Sequence, residues 1–283
     1  MAENRSHSTG TIHANDGTEL FFRHNGAENE RAGMLIVHGL GEHSGRYAHL
    51  VKKMLANGIS VFAYDHRGHG QSSGKRGYVK LFLDYINDVD VMIKQFRETL
   101  SPRRPFFLLG HSMGGLIVLN YIQHASGDIS GVIVSSPALG TASRPPAAKT
   151  FIARLLSIVT PFFSFDNELD PHYISHDSKV VADYINDPLV HRRITARWAT
   201  EFMKTAELTA NNAHLVKTPV LMQIAGSDRI VSPQISKAFF ENISTADKTL
   251  RYYHGLYHEI YNEKDNDRKQ VFEDLESWIN GHI

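Results

Sequence analysis

The 283-residue sequence contains no cysteine. That absence excludes disulfides, thiolate nucleophiles and cysteine-based zinc sites, and it favours a cytoplasmic location. Excess charge of either sign is also missing: 30 Lys and Arg balance 30 Asp and Glu. An electrostatic nucleic-acid binder is therefore not expected. No apolar run is long enough to cross a bilayer. Residues 1–10 are polar and lack an apolar core, so no secretory signal is expected. The 17 histidines are scattered, and none forms the His-Glu-x-x-His pattern of a metal site.

What is present alternates. Short apolar runs at 34–37, 59–64, 106–109, 131–135 and 219–224 read as buried strands, and a further strand is expected at 249–253. Helical spacing falls between them, at 47–56, 85–96, 233–242 and 270–278. Asp16-Gly17 between 11–14 and 19–23 signals an N-terminal hairpin. The order implies an α/β fold with a mostly parallel, doubly wound sheet, whose ligands bind beyond the carboxyl ends of the strands. Residues 138–215 interrupt this order and show no strand pattern. We read 1–137 and 216–283 as two parts of one core and 138–215 as an inserted helical cap. The cap opens with a turn-rich stretch at 141–146. A helix is expected from Phe151 through Phe163, apolar around most of its circumference, and a second near 192–205. The first helix is either buried or an acyl-chain wall that touches a membrane.

One turn carries chemistry. Gly110-His111-Ser112-Met113-Gly114 follows an apolar strand and opens an apolar helix, which fits the G-x-S-x-G nucleophile elbow. Glycine and serine are each roughly 7% of ordinary chains, so this pattern arises by chance about 0.1 times in such a length. The motif therefore needs partners. A serine hydroxyl is a nucleophile only beside a base, and the base needs a third group to orient it. In this architecture they follow in the order acid, then histidine. Asp228 lies in a glycine turn just past the strand 219–224. His258 lies in the loop after 249–253; His254, at the strand end, is the alternative base. Asp65, Asp166, Asp170 and Glu259 are alternative acids; Asp65 is better suited to bracing its loop through Arg67 or nearby amides. The oxyanion needs two backbone N–H donors. Met113 follows the nucleophile at a helix start, and Leu40 lies in the glycine-flanked loop after 34–37.

Three strings now identify a family resemblance: His38-Gly39-Leu40-Gly41-Glu42-His43-Ser44-Gly45-Arg46-Tyr47, Asp65-His66-Arg67-Gly68-His69-Gly70-Gln71-Ser72, and Gly110-His111-Ser112-Met113-Gly114-Gly115. Together with Asn186-Asp187-Pro188 they resemble monoacylglycerol lipases of the α/β-hydrolase superfamily. The resemblance implies an α/β-hydrolase fold and hydrolysis of monoacylglycerol to fatty acid and glycerol without a metal or organic cofactor. It implies Ser112, Asp228 and His258 as the triad and the amides of Leu40 and Met113 as the oxyanion hole. Glu42 and Arg46 match polar positions that hold the glycerol, their other reading being a salt bridge within one helical turn. Tyr184 is expected to close the alcohol pocket. Leu40 departs from the small residue often found in mammalian members, which narrows that end of the pocket. A lysophospholipase or broad carboxylesterase would use the same triad. A non-catalytic binding protein is disfavoured because nucleophile, acid and base are all present, and dehalogenases and epoxide hydrolases because they carry Asp at the nucleophile position. The implied partner is a lipid ester, with peripheral membrane contact near Phe151–Phe163.

Overall fold

Every residue of β3 (Ala32–Val37), β4 (Ile59–Tyr64), β5 (Phe106–His111), β6 (Gly131–Ser135) and β9 (Val220–Ala225) is buried. Such runs suit strands covered on both faces. In the computed structural model, which describes residues 7–124, 129–143 and 146–283, they form the centre of an eight-stranded sheet. The strand order is β1-β2-β4-β3-β5-β6-β9-β10, with β1 (Ser8–His13), β2 (Glu19–Asn25) and β10 (Lys248–Tyr253) at the flanks. β1 and β2 are antiparallel around the turn at Gly17, β2 is antiparallel to β4, and the remaining pairs are parallel. The expected α/β-hydrolase architecture, with its N-terminal hairpin, is borne out.

Alternation sorts the strand residues onto two cores. Leu35, Val37, Phe62, Leu108 and Val134 pack with α2 (Leu83–Thr99) and α3 (Met113–His124). Met34, Ile36, Val61, Leu109 and Ile133 pack with α1 (Ala48–Ala56) and α8 (Asp265–Asn280) on the other face. Crossovers of this kind leave the loops after β3, β5, β9 and β10 at one edge of the sheet, where strand order diverges from chain order. α7 (Pro233–Glu241) follows the β9 loop and is capped by Ser232, which accepts from Ile235 N.

The insertion between β6 and β9 differs from the expectation in three ways. It contains strand: β7 (Ser164–Asp166) and β8 (Arg193–Thr195) pair antiparallel. Three-residue strands have too few residues to show a period. Its first helix, α4, spans Ala147–Val159, ending before the turn at Pro161. The α4 surface is largely open: Phe151 is 69% exposed and Ile158 77%, with Ala153 and Ser157 on the buried side. Its last helix, α6, begins at Ala196 because β8 occupies the preceding residues; Thr195 caps it by accepting from Trp198 N. Between them lies α5 (Ser178–Asn186), capped by Asp177, which accepts from Lys179 N. The polar residues 1–6, and Arg144 and Pro145 of the turn-rich stretch, lie outside the described residues.

Candidate active site

β5 ends at His111 and α3 begins at Met113, so a single residue, Ser112, makes the whole turn. Its φ is 53°, in the left-handed region that costs a non-glycine residue of order 1–3 kcal/mol. The surroundings hold it there. Ser112 N donates to Ser135 O at 3.0 Å, and Ser112 O accepts from Leu116 N and Ala138 N. A Cβ at Gly110 would strike the carbonyl of Gly114, and one at Gly114 would strike that of Val37. Both glycines of the motif are thus required by backbone approach.

The loop after β9 presents Asp228, and the loop after β10 presents His258. The Nδ1–H of His258 donates to Asp228 Oδ2 at 2.6 Å, with both side chains buried. The other carboxylate oxygen accepts from the backbone N–H groups of Ile230 (2.8 Å) and Val231 (3.0 Å), which fixes the plane of the acid. Nε2 of His258 is thereby left as the acceptor nitrogen. Burial opposes charge on this imidazole, but the carboxylates of Asp228 and then Glu259 outweigh it and raise its pKa above the usual 6.5. His254 is exposed, and its carbonyl accepts from Ser227 Oγ. The alternative acids are engaged elsewhere. Asp65 accepts from Ser44 N, Ser44 Oγ and Gln71 N, while Arg67 pairs with Asp88 and Asp16. Asp166 pairs with Arg192, Asp170 with His172, and Glu259 with Arg46.

The loop after β3 brings Gly39 against the elbow, where its missing Cβ would lie 3.2 Å from Ser112 Cβ. Gly39 N donates to Glu42 Oε1 at 2.6 Å, and Gly41, with φ 75°, turns the chain. Leu40 and Ser112 together line two cavities. One, of about 510 Å³, runs under the insertion along Ala153, Trp198, Phe202 and Met203, with Met113 and Ile230 at its base. The other, of about 30 Å³, is walled by His258, His111 and Tyr184 and by the carboxyls of Glu42, Asp170 and Glu259, with no Lys or Arg in its lining.

Of the residues expected at an alcohol site, Glu42 and Tyr184 reach this small cavity. Arg46 stands behind them. Its Nη1 donates to Glu42 Oε2 (2.7 Å) and Glu259 Oε1 (2.6 Å), its Nη2 to Glu259 Oε2 (2.7 Å), and its guanidinium lies over the Tyr184 ring. Tyr47 Oη donates to Glu42 Oε1. Burial, and then the neighbouring Glu259 charge against the pull of Arg46, raises the Glu42 pKa; Glu259 is buried too, but Arg46 draws it down to about 2. Asp170, expected only as an alternative acid, lines the small cavity instead, and the engagement of Glu259 with Arg46 was not foreseen. Glu259 is adjacent to His258 in sequence, but its partner is 213 positions away.

The insertion grips both candidate loops. His43 Nε2–H donates to Asp187, and His191 N donates to Gly41 O, on the oxyanion side. On the base side, Glu259 N donates to Ile174 O. The fully buried Glu263 accepts from Tyr257 N, His176 N and His176 Nδ1.

Comparison with known proteins places this geometry. The family model described as Hydrolase_4, serine aminopeptidase S33, matches residues 28–265. A monoacylglycerol lipase of Mycolicibacterium smegmatis is 32% identical over 89% of this chain and 89% of its own length. A phospholipase of Bacillus subtilis is 32% identical over 91% of the chain and 98% of its own length. An uncharacterized abhydrolase domain-containing protein of Dictyostelium discoideum is 36% identical over 82% of this chain, which spans 24% of that longer protein. The crystal structure of Paleococcus ferrophilus monoacylglycerol lipase superposes with a TM-score of 0.86 at 35% identity, covering 94% of this chain and 100% of the other.

Proposed function

The chain belongs to the Hydrolase_4 (serine aminopeptidase S33) family of α/β hydrolases and is a lipolytic ester hydrolase, and from that premise we propose that it is a monoacylglycerol lipase acting through Ser112, Asp228 and His258. The observation that carries the reading is the contrast between the two cavities meeting at Ser112. The large one has an apolar stretch along Ala153, Ile194, Trp198, Phe202 and Met203 suited to an acyl chain, alongside Lys149, Asp166, Glu168 and Arg229; the small one is lined by the acidic residues Glu42, Asp170 and Glu259, suited to the hydroxyls of a neutral polyol. A phosphate in the small cavity would face Glu42, Asp170 and Glu259 without a cation in the lining, which disfavours a phospholipid headgroup.

In this mechanism Ser112 Oγ attacks the ester carbonyl while its proton passes to His258 Nε2. The N–H groups of Leu40 and Met113 receive the developing oxyanion, the latter at the positive end of α3. Collapse breaks the bond to the glycerol oxygen, which takes the proton from His258. Water then attacks the acyl-enzyme, losing its proton to the same nitrogen, and the fatty acid leaves as Ser112 recovers its hydrogen. Asp228 keeps the Nδ1–H tautomer and offsets the imidazolium charge. Glu42 and Tyr184 hold the glycerol, with Arg46 orienting Glu42 from behind.

The insertion 138–215 acts as the cap over the acyl cavity. Among the described residues no helix is long and apolar enough to cross a membrane. The open apolar face of α4, with Phe151, Leu155 and Ile158, supports peripheral contact with a bilayer as part of this proposal. A cytoplasmic location is proposed with it. Charging Leu155 and Ile158 would abolish co-sedimentation with phosphatidylcholine vesicles; unchanged sedimentation would remove the membrane contact.

The similarity to a phospholipase favours a second reading, a lysophospholipase or broad esterase with the same triad. Rates on monoacylglycerol, lysophosphatidylcholine and p-nitrophenyl esters separate the two, and faster turnover of the lysophospholipid would overturn the first. Ser112→Ala should lose essentially all activity while keeping its fold; normal turnover in that variant would remove the triad from both readings.

A further inference from the structure

Arg46 is almost fully buried, yet two carboxylates share it, so a cluster of three charged groups carries one negative charge in excess when both are ionised. The cluster is also a mechanical link. Glu42 receives the N–H of Gly39, the residue before Leu40 in the oxyanion loop. Glu259 is the residue after His258 in the base loop, and Asn262 Nδ2 donates to it at 2.7 Å. The path Gly39–Glu42–Arg46–Glu259–His258 therefore joins two loops that contribute to one reaction and are otherwise far apart in the chain. A buried ion pair is a poor source of stability, since desolvation offsets its attraction, but it fixes geometry well.

We propose that Glu259 is a positioning residue for the reaction: through Arg46 it registers the base loop against the oxyanion loop, and it adds negative charge at the small cavity that the imidazole also lines. The inference rests on His258 being the base, as proposed above. Asp228 faces the imidazole from the β9 loop and His111 from the end of β5, with ring centroids 4.8 Å apart. Glu42 lies beyond on the oxyanion side, and Asp170 and Tyr184 lie across the small cavity. His111 is buried and held neutral, its pKa pushed down to about 3 by burial and then by the His258 charge, so it does not supply the opposing effect. Glu259, held ionised by Arg46, is the anion added to the triad itself. A negative charge beside the base favours the imidazolium formed as Ser112 loses its proton, so it assists the acylation step and raises the pH below which the base is inactivated.

The test is a pH profile of kcat and kcat/KM on p-nitrophenyl butyrate, which reports the base independently of the glyceride assignment. Glu259→Gln keeps size and hydrogen-bonding ability but removes the charge. It should lower kcat roughly tenfold or more, leave KM within about threefold, and move the acid limb down by roughly 0.5–1 pH unit. Arg46→Lys keeps the positive charge but loses the two-pronged bond; it should lower kcat with the acid limb unmoved, and it serves if Glu259→Gln does not fold. Wild-type kcat and acid limb in a folded Glu259→Gln, or wild-type kcat in Arg46→Lys, would overturn the proposal. Ser112-independent turnover by the unmutated protein would instead overturn the underlying triad.

Discussion

His111 and His258 face each other with ring centroids 4.8 Å apart, and the protein drives their basicities in opposite directions. Among the described residues His111 hydrogen-bonds to Ser135 Oγ and to no carboxylate; burial, then the His258 charge, holds it at about 3. His258 overcomes the same burial because Asp228 is at 2.6 Å.

In the proposed mechanism this asymmetry sets the pH range of the reaction. The base must be neutral to accept the Ser112 proton, and its pKa is raised, so activity is lost as pH falls through a value above the usual 6.5. A kcat/KM profile between pH 5 and 9 should show an acid limb above about 6.5. A limb at or below that value would contradict the arrangement of charges around His258.

Stability should show the opposite asymmetry. His38, His49, His66, His69, His111 and His191 all have their basicity lowered, chiefly by burial, with His38 and His111 near 3 and His191 near 4. Depressed basicity means that the unfolded chain binds more protons once pH drops below about 6.5. The stability these six contribute is complete above that pH and drains away as it falls, from a total that is only about 5–15 kcal/mol for an ordinary domain. His258 works the other way: its contribution is full below about 6.5 and lost as pH rises through its raised folded-state value. One residue against six leaves acid destabilisation dominant. The urea midpoint of Ser112→Ala protein should be markedly lower at pH 5.5 than at pH 8, and equal midpoints would show that the histidines are not held neutral.

Gly114→Ala should fail more severely than an ordinary helix glycine. Exposed Gly→Ala within a helix stabilises by about 1 kcal/mol. Here the added methyl meets the carbonyl oxygens of Val37 and His38, so the elbow must retreat from the oxyanion loop. A loss of roughly 3 kcal/mol and of fluorophosphonate labelling at Ser112 is expected. Wild-type melting and labelling would show that the contact can relax.

Met203 lies on the acyl-cavity wall contributed by α6, and Met203→Trp would shorten that cavity. A long chain loses room there and a short one does not. The kcat/KM for an 18-carbon monoacylglycerol should fall roughly tenfold or more relative to an 8-carbon one. An unchanged ratio would mean that the chain takes another route out of the site.

The catalytic candidates were readable because each lies just past a strand and their order along the chain suits this architecture: Ser112, Asp228, His258. The core strands were readable because 34–37 and 59–64 are apolar without alternation. The insertion was less so. Phe151–Phe163 is apolar on nearly every side, and such a segment gives no sign of which side faces water; the structure leaves most of α4 open. β7 and β8 are set by docking: Thr195 N donates to Gly77 O and Lys75 Nζ to Phe162 O, contacts with core residues remote in sequence. The tie between Glu259 and Arg46 was hidden for the same reason. α5 carried both a readable start, Asp177 before Ser178, and an amphipathic spacing at Val180, Val181 and Tyr184, over only nine residues.

The insertion holds the two candidate loops through residues other than those over the large cavity. Residues 170–191 cannot lift away without breaking the bonds of Asp187 to His43, Gly41 to His191 and Glu263 to His176. α4, by contrast, packs on α6 and turns Phe151, Leu155 and Ile158 outward. On the proposed reading a lipid would therefore enter past α4 rather than past 170–191, and its entry would leave the bonds around Asp228 and His258 intact.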